Sequence, residues 1–585
     1  IKHGALATLN LGGTLTTVNA GTSGALTTAA VTTLALSLTG AVSTGAVTID
    51  SDITTLNISG NTTASTLASL VASGATTINV SGDALVTLTA NTTAAVTAIV
   101  VTNTAGVSFG TALGTAAAFT GGAGVDVVTV GATTKAIAMG GGNDTVTVSV
   151  SALGTGGSID AGSGTADVLI MSLANADAAD ATTTFAGTIS NFERLTLTGN
   201  TANTINLVNL DALNHITFDS ALTNTVTLSG LLTGATIVQN ATSSGQIAAT
   251  LATSGASDVI NYNVSAASAQ TLGTLTLTGF ETVNFTTDDS ATTVTNIAHV
   301  VTTLTAAVAT TVTVTGDAGL TLSTFTATTV TTFNASAVTA GAVTYTAGIL
   351  AGAAAITGGA GNDVLNAAAA VAAVTLVGGA GNDTLTGSLT IANSITGGDG
   401  DDSLTGGTAA DIIDGGAGTD SYVHSTGTIV EQVGTGTTMG VAINLSSAAV
   451  SLSTISTAIS NNDFLAAAGA TLAANSSAYL FSNESLTNVS IVDTLTGIQN
   501  IEGSDLIDYL LGSATANVFT IGTTNDGNTD FMDGGGGTDT LNLSTGAHTF
   551  ATDANLVNIE NITFAIAAPG TVTLTSPTDA IALPG

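Results

Sequence analysis

Cysteine and tryptophan are absent from the 585 residues, proline occurs three times, and Lys2, Lys135 and Arg194 are the only lysines or arginines. Each shortage excludes a class of protein. Without cysteine there is no disulfide scaffold, no thiolate zinc site and no thiol nucleophile. Three scattered cations cannot displace counterions from a phosphate backbone, which excludes nucleic acid as a partner. Charged residues make up 7% of the chain, against about 25% in an ordinary soluble domain. That shortage, not a membrane segment, lifts the mean hydropathy to +0.53. The cleanest apolar run, Ala367 to Val377, spans 11 residues and already contains a Thr, whereas a bilayer-spanning helix needs about 20. No transmembrane segment is expected. Residues 1–20 lack the basic head, apolar middle and small-residue cleavage site of a signal peptide. A chain opening on Ile1 reads as a fragment or processed product, and any targeting signal would then lie outside it.

What is present is acid, glycine and small β-branched residues. There are 39 Asp and Glu, giving a formal charge of -36, and 70 glycines. A hydrophobic content of 44% argues against an acidic disordered chain. The length fits three to five domains or one long repeat stack. Apolar residues alternate with Thr or Ser, as in Val86-Thr87-Leu88-Thr89 and Thr311-Val312-Thr313-Val314-Thr315, the signature of half-buried strands. The best helix candidate is Asp463 to Ala474. The expected fold is all-β, with parallel β-solenoid and β-roll segments interspersed with other β units.

Two repeats organise the chain, one pointing to a solenoid and one to a supersecondary unit used three times. Thr32-Thr33-Leu34-Ala35-Leu36-Ser37 returns as Thr54-Thr55-Leu56-Asn57-Ile58-Ser59, as Thr76-Thr77-Ile78-Asn79-Val80-Ser81 and, loosely, as Ala98 to Asn103, at a step of 22 residues. A strand recurring at a fixed step of this size predicts coils that each add one strand to a continuing parallel sheet, about 4.8 Å from the last. The second repeat is composite. Asp167-Val168-Leu169-Ile170 precedes Phe192-Glu193-Arg194-Leu195, Asp258-Val259-Ile260 precedes Phe280-Glu281-Thr282-Val283, and Asp539-Thr540-Leu541 precedes Ile559-Glu560-Asn561-Ile562. Gly497-Ile498-Gln499-Asn500-Ile501 is a degenerate fourth unit. The Glu of this unit reads as a solvated strand-edge residue, with metal binding as the alternative.

The sharpest signal is Gly-Gly-x-Gly-x-Asp-x-apolar-x. It is complete at 121–129, 358–366, 378–386, 397–405, 415–423 and 534–542, and degenerate around Asp144, Asp411, Asp508 and Asp530. Glycines permit positive φ and let backbone carbonyls turn inward. The sixth-position Asp supplies a hard anionic oxygen, and the next apolar residue starts a core-facing strand. Oxygen donors without His or Cys suit Ca²⁺ rather than a transition metal. The candidate ligands are Gly122, Gly124, Asp126, Gly140, Gly142, Asp144, Asp160 and Asp167 in a first block. A second block has Gly359, Gly361, Asp363, Gly379, Gly381, Asp383, Gly398, Gly400, Asp402, Asp411, Gly416, Gly418 and Asp420. A third has Asp508, Asp530, Gly535, Gly537 and Asp539. Two nonapeptides make one coil of about 18 residues in a parallel β-roll. Asp126 and Asp144 therefore stack; Asp363, Asp383, Asp402 and Asp420 share one side; Asp411 faces the other; and Asp530 and Asp539 lie on opposite sides.

These nonapeptides resemble the RTX (repeats-in-toxin) proteins exported by type I secretion. The Thr/Ala/Val segments and Phe-Glu strands resemble RTX-type surface-layer proteins of Gram-negative bacteria. The stretch Leu56 to Leu169, including Ala68-Ser69-Leu70-Val71-Ala72-Ser73, Ser81-Gly82-Asp83-Ala84 and Gly131 to Ile137, is similar to the calcium-dependent surface-layer family of stalked alphaproteobacteria. The resemblance implies a calcium-dependent two-dimensional lattice of identical copies at the cell surface. The partner there would be lipopolysaccharide or a separate anchoring domain or protein, since the family's helical anchoring region has no counterpart in this sequence. A calcium-stiffened adhesin is the alternative, and an ice-binding Thr array a weaker one, because Ala98-Ile99 breaks the Thr ladder. Asn57-Ile58-Ser59 and Asn61-Thr62-Thr63 match the glycosylation acceptor pattern, which chance explains in so Asn- and Thr-rich a chain.

No enzyme is expected. His3, His215, His299, His424 and His548 are followed by Gly, Ile, Val, Ser and Thr, which leaves no His-Glu-x-x-His site, and Gly-x-Ser-x-Gly does not occur. The histidines read as surface or strand-end residues. Along the chain, residues 1–119 read as a Thr-rich solenoid, 120–170 as the first RTX block and 171–355 as β units with Phe-Glu strands. Residues 356–424 are the main β-roll, 425–500 a β/helical connector, 501–545 the third block and 546–585 terminal strands.

Overall fold

A computed structural model describes residues 6–20, 31–92, 94–181, 183–293, 296–325, 327–407, 409–423, 437–451, 471–482, 490–503, 508–521, 531–543, 548–550, 556–564 and 572–574. Alternation dictates the architecture. Strand accounts for 51% of the chain and helix for 3%, and the strands wind as a parallel β-solenoid of about 20 turns. The chain divides into two compact units, Ile1–Asn263 with Leu272–Phe280, and Val264–Thr271 with Glu281–Gly585.

In the first unit the Thr-rich repeat sets the register directly. Thr33 pairs with Thr55 and Thr55 with Thr77, which stacks Leu34 on Leu56 on Ile78, and Leu36 on Ile58 on Val80. These side chains are fully or almost fully buried. The fourth coil departs from the even step of 22 residues, because Thr77 pairs with Ala98 and Ile78 with Ile99, one residue earlier than the sequence repeat suggests. Parity explains the slip. A one-residue shift exchanges the two faces of a strand, and only the observed register buries Ile99 and Val101 while leaving Val100 outside at 37% exposure. At the first glycine–aspartate block the coil tightens, and Val127–Val130 pairs with Thr145–Val148, which pairs with Val168–Ser172 and then Arg194–Thr198.

A short helix, Leu173–Ala179, follows Val168–Ser172, unanticipated in the sequence. The Ser172 side chain accepts the Asn175 N–H as its cap, and Leu173, Ala176 and Ala179 face inward. Its seven residues are too short and too alanine-rich to carry a recognisable apolar stripe. The rest of this unit is again parallel strands, including the stack Asn203–Asn206, Thr225–Leu231, Gln246–Leu251 and Thr274–Thr278.

In the second unit two strand stacks line the core. One runs Thr311–Gly316, Thr332–Val338, Ala354–Thr357, Val374–Ala380, Ser394–Asp399 and Ile412–Ala417. The other runs Gly319–Leu322, Thr344–Thr346, Val364–Asn366, Thr384–Thr386, Ser403–Thr405 and Asp420–Val423. It then continues directly into Ile498–Glu502, Val518–Ile521, Thr540–Leu543 and Asn561–Phe564. Inside, Phe333 and Tyr345 stack face to face at 4.1 Å.

The chain between Val423 and Ile498 leaves this pattern. Thr437–Asn444, Ser476–Ser482 and Ser490–Thr496 are successive antiparallel neighbours, and the outer two join parallel strands at Tyr509–Leu511 and Ile412–Ala417. Most of the helix expected over Asp463 to Ala474 falls outside the described residues. Its end is strand: Thr471–Leu472 pairs antiparallel with Val450–Ser451. The expectation for the histidines also changes. His299 lies in the strand Ala298–Val301 and is fully buried. Its Nδ1 accepts the Gln270 N–H at 3.2 Å, and Nε2 lies 3.3 Å from the Asp288 carbonyl.

Candidate calcium ladders

Each sixth-position aspartate performs the same local task. Its carboxylate reaches the preceding coil and accepts a backbone N–H there. In the first unit Val107 donates to Asp126 Oδ1 at 2.8 Å, Asp126 to Asp144 Oδ1 at 2.7 Å, and Asp144 to Asp167 Oδ1 at 2.6 Å. In the second unit Val343 donates to Asp363 at 2.7 Å, Asp363 to Asp383 at 2.7 Å, Asp383 to Asp402 at 2.8 Å and Asp402 to Asp420 at 3.0 Å. The residues that sequence spacing placed on one side thus form one continuous ladder. All seven aspartates are at most 2% exposed.

The second carboxylate oxygen is the unusual feature. Oδ2 of Asp144, Asp167, Asp383, Asp402, Asp420 and Asp539 is buried without a hydrogen-bond partner. A buried anionic oxygen left unpaired is costly, so six among the described residues call for a cation. The first glycine of each nonapeptide shapes the space beside it. A Cβ at Gly358, Gly378 or Gly397 would overlap both Oδ2 of its own aspartate and the carbonyl of the next coil's first glycine. Only glycine leaves room for these two oxygens. The glycines at positions two and four hold the turn open with left-handed φ: 125° and 116° at Gly379 and Gly381, 127° and 131° at Gly398 and Gly400, and 98° and 140° at Gly416 and Gly418. Gly140, Gly142, Gly535 and Gly537 do likewise. Gly122, Gly124, Gly359 and Gly361 open their ladders with φ outside that region, and Gly124 and Gly361 lie against the backbone of Gly106 and Gly341.

Burial sets the electrostatics. Desolvation pushes the carboxyls of Asp144 and Asp383 up to about 7, and those of Asp126, Asp363, Asp402 and Asp411 to about 6, with backbone N–H donors opposing the rise. Asp167, Asp420 and Asp539 rise for the same main reason. Among the described residues no three acidic or imidazole side chains converge on one point. A cation would therefore be held by carboxylates of neighbouring coils together with inward carbonyls, an all-oxygen donor set that fits Ca²⁺. The ion would supply the positive charge that no lysine or arginine supplies.

The remaining candidates fall elsewhere. Asp411 lies on the opposite side, where it accepts the Asn393 N–H at 2.7 Å and donates its own N–H to Asp493 Oδ1 at 2.8 Å. Asp508 is buried beside Gly503, whose Cβ would approach its Oδ2. Asp160 is outside the ladders. It is exposed and accepts from the Gly162 N–H at 3.0 Å and Asn191 Nδ2 at 2.7 Å, closing a turn. Asp530 lies outside the described residues.

The structure also brings in residues beyond the nonapeptide ligands. Asn517 holds the ladder position between Gln499 and Asp539. It donates its N–H to Asp539 Oδ1 at 2.7 Å and its side-chain NH₂ to the Gln499 carbonyl at 2.6 Å. Its signal is a weak nonapeptide, Gly512-Ser513-Ala514-Thr515-Ala516-Asn517-Val518-Phe519-Thr520. Asp493 joins Asp411 from 82 residues away, a distance no repeat spacing announces. Glu193 and Glu560, which read as strand-edge residues with metal binding as the alternative, and Gln499 of the degenerate fourth unit each accept the N–H of the last aspartate in a ladder.

Residues 351–369, 375–389 and 391–422 match the RTX calcium-binding nonapeptide repeat family. RTX calcium-binding repeats are therefore present, and they coincide with the ladder from Asp363 to Asp420. No curated protein sequence matches the chain. The ladder of Asp126, Asp144 and Asp167 lies beyond the matched residues and repeats the same hydrogen-bond pattern.

Proposed function

We propose that the chain is a calcium-folded structural protein of the bacterial surface, a subunit of a surface-layer lattice exported by type I secretion. The observation that carries this reading is the pair of ladders with orphaned carboxylate oxygens, in a chain of charge -36 with three lysines and arginines. Such a scaffold folds where calcium is abundant, because the ion's binding energy becomes folding energy. Low calcium would leave the fold weaker and the chain easier to export. Outward rows such as Thr33, Thr55 and Thr77 offer neutral strand surface for contact between copies. Attachment would fall to lipopolysaccharide or to a separate anchoring domain or protein. Catalysis forms no part of the reading, since the acids sit in glycine turns where metal binding accounts for them. The test is electron microscopy of the purified chain with and without millimolar calcium. Ordered sheets in calcium alone support the lattice. Folded but solitary particles in calcium would transfer the reading to a calcium-stiffened adhesin.

A further inference from the structure

The ladders end in a recurring way. The closing turns are Asn191-Phe192-Glu193 after Asp167, Gly497-Ile498-Gln499 after Asp420, and Asn558-Ile559-Glu560 after Asp539. In each the first residue is left-handed, with φ of 62°, 65° and 51°, which Asn and Gly tolerate best. The third side chain then takes the N–H of the last aspartate. Asp167 donates to Glu193 Oε2, Asp420 to Gln499 Oε1 and Asp539 to Glu560 Oε2, each at 2.7 Å. A longer side chain thus does in the closing coil what Asp Oδ1 does in every earlier one. The carbonyls of Gly497 and Asn558 also stand beside Oδ2 of Asp420 and Asp539, as the first-glycine carbonyls do along the ladder.

Oδ2 of Asp167 and of Asp539 has no hydrogen-bond partner, and both residues are wholly buried. The gap between the last aspartate and the closing turn therefore has the same makings as the gaps within the ladder. We infer that Glu193 and Glu560 are calcium ligands, each completing a closing site with Asp167 or Asp539, and that Gln499 leaves the equivalent site at Asp420 weaker by one carboxylate. The inference rests on the calcium reading of the ladders. Charge count is what tunes calcium affinity in oxygen sites, and the amide of Gln499 keeps the hydrogen bond while removing the charge. Arg194 adjoins Glu193, but Asn561 adjoins Glu560, so a neighbouring cation is not what the pattern requires.

The experiment counts calcium ions on the full chain by native mass spectrometry and measures affinity by calcium titration. It compares the wild type with E193Q, E560Q and Q499E. Each Gln variant is expected to lose one ion, or to hold one roughly tenfold or more weakly, with an unchanged β circular-dichroism signal in saturating calcium. Q499E is expected to tighten one site by a similar factor. Wild-type counts and affinities in both Gln variants overturn the inference while leaving the ladder sites intact. A wild-type chain that binds no calcium overturns the calcium reading itself. If either Gln variant fails to fold, the gain or absence of gain in Q499E decides.

Discussion

At the scale of single residues, each ladder aspartate uses one oxygen to clamp the preceding coil, and all but the opening Asp126 and Asp363 hold the other where only a cation or proton can satisfy it. The glycines beside it are there for space and for handedness. Gly379 has φ of 125° and its Cβ would overlap the Gly359 carbonyl, whereas Gly114 has an ordinary φ and open space around it. Gly379→Ala is expected to cost about 2 kcal/mol or more, from the left-handed backbone and the overlap together, while Gly114→Ala stays within about 0.5 kcal/mol. Thermal melts in saturating calcium compare the two, and equal losses would contradict the geometry. The raised carboxyls give a second expectation. Folded Asp144 and Asp383 titrate near 7, and Asp126, Asp363, Asp402 and Asp411 near 6, above the ordinary 3.8. Without calcium, the folded state holds protons that the unfolded chain has already released. Their stabilising contribution is complete below about pH 4 and is lost as pH rises through 6 to 7. Calcium-free protein should therefore melt lower at pH 7.5 than at pH 4.5, and calcium should raise the melting temperature more at the higher pH. The opposite slope in calcium-free melts would rule this out.

Elements inherit their arrangement from these contacts, and they differ in how plainly the sequence announces it. The Thr-Thr-Leu-x-Ile repeat foretells which strands stack, because its apolar positions must coincide from coil to coil. It misses the register at Ala98, since burial of Ile99 and Val101 outweighs an even step. The glycine–aspartate spacing foretells the ladder from Asp363 to Asp420. It misses the closing turns, because their separations of 26, 79 and 21 residues depend on the inserted chain and not on the coil. The burial of His299 is hidden for a related reason: nothing in Ala298-His299-Val300 reveals that Gln270 and the Asp288 carbonyl wait for its ring. Asn517 shows what a neutral ladder position does, filling with its own NH₂ the role that charge leaves open at the aspartates. Asp383→Asn should imitate it. Calcium-free at pH 7.5, that variant is expected to be more stable than the wild type by about 1–3 kcal/mol, because a buried unpaired charge is gone. In saturating calcium it should be less stable, because two gaps lose a carboxylate. Denaturant melts under both conditions check the reversal, and a variant less stable in both would refute it.

For the whole molecule the dominant fact is a charge of -36. Copies repel one another, although at physiological salt that repulsion extends only about 8 Å. Contacts between copies must then use neutral strand faces or bridge acids with divalent ions. Asp288-Asp289 and the Asp50/Asp52 turn are among the acids outside the nonapeptides that the sequence offers for bridging. The structure separates them: Asp289 is buried with its N–H donated to Asp317 at 2.7 Å, whereas Asp52 is exposed at its turn. The Asp50/Asp52 turn is thus the better bridge. A site at this partly exposed turn binds calcium more weakly than a ladder gap, because water competes for the ion. Two calcium thresholds follow, a lower one for folding and a higher one for assembly. A titration read by circular dichroism and by electron microscopy on the same samples should show the β signal saturating before sheets appear, and Asp52→Asn should raise only the second threshold. Magnesium should replace calcium at neither, since it demands a smaller octahedral shell and gives up water reluctantly. If folding and assembly rise together at one calcium concentration, interface and ladder sites are of equal strength and the two-threshold argument is wrong. If folded chains stay solitary at every concentration, including on membranes bearing lipopolysaccharide, the lattice itself is wrong.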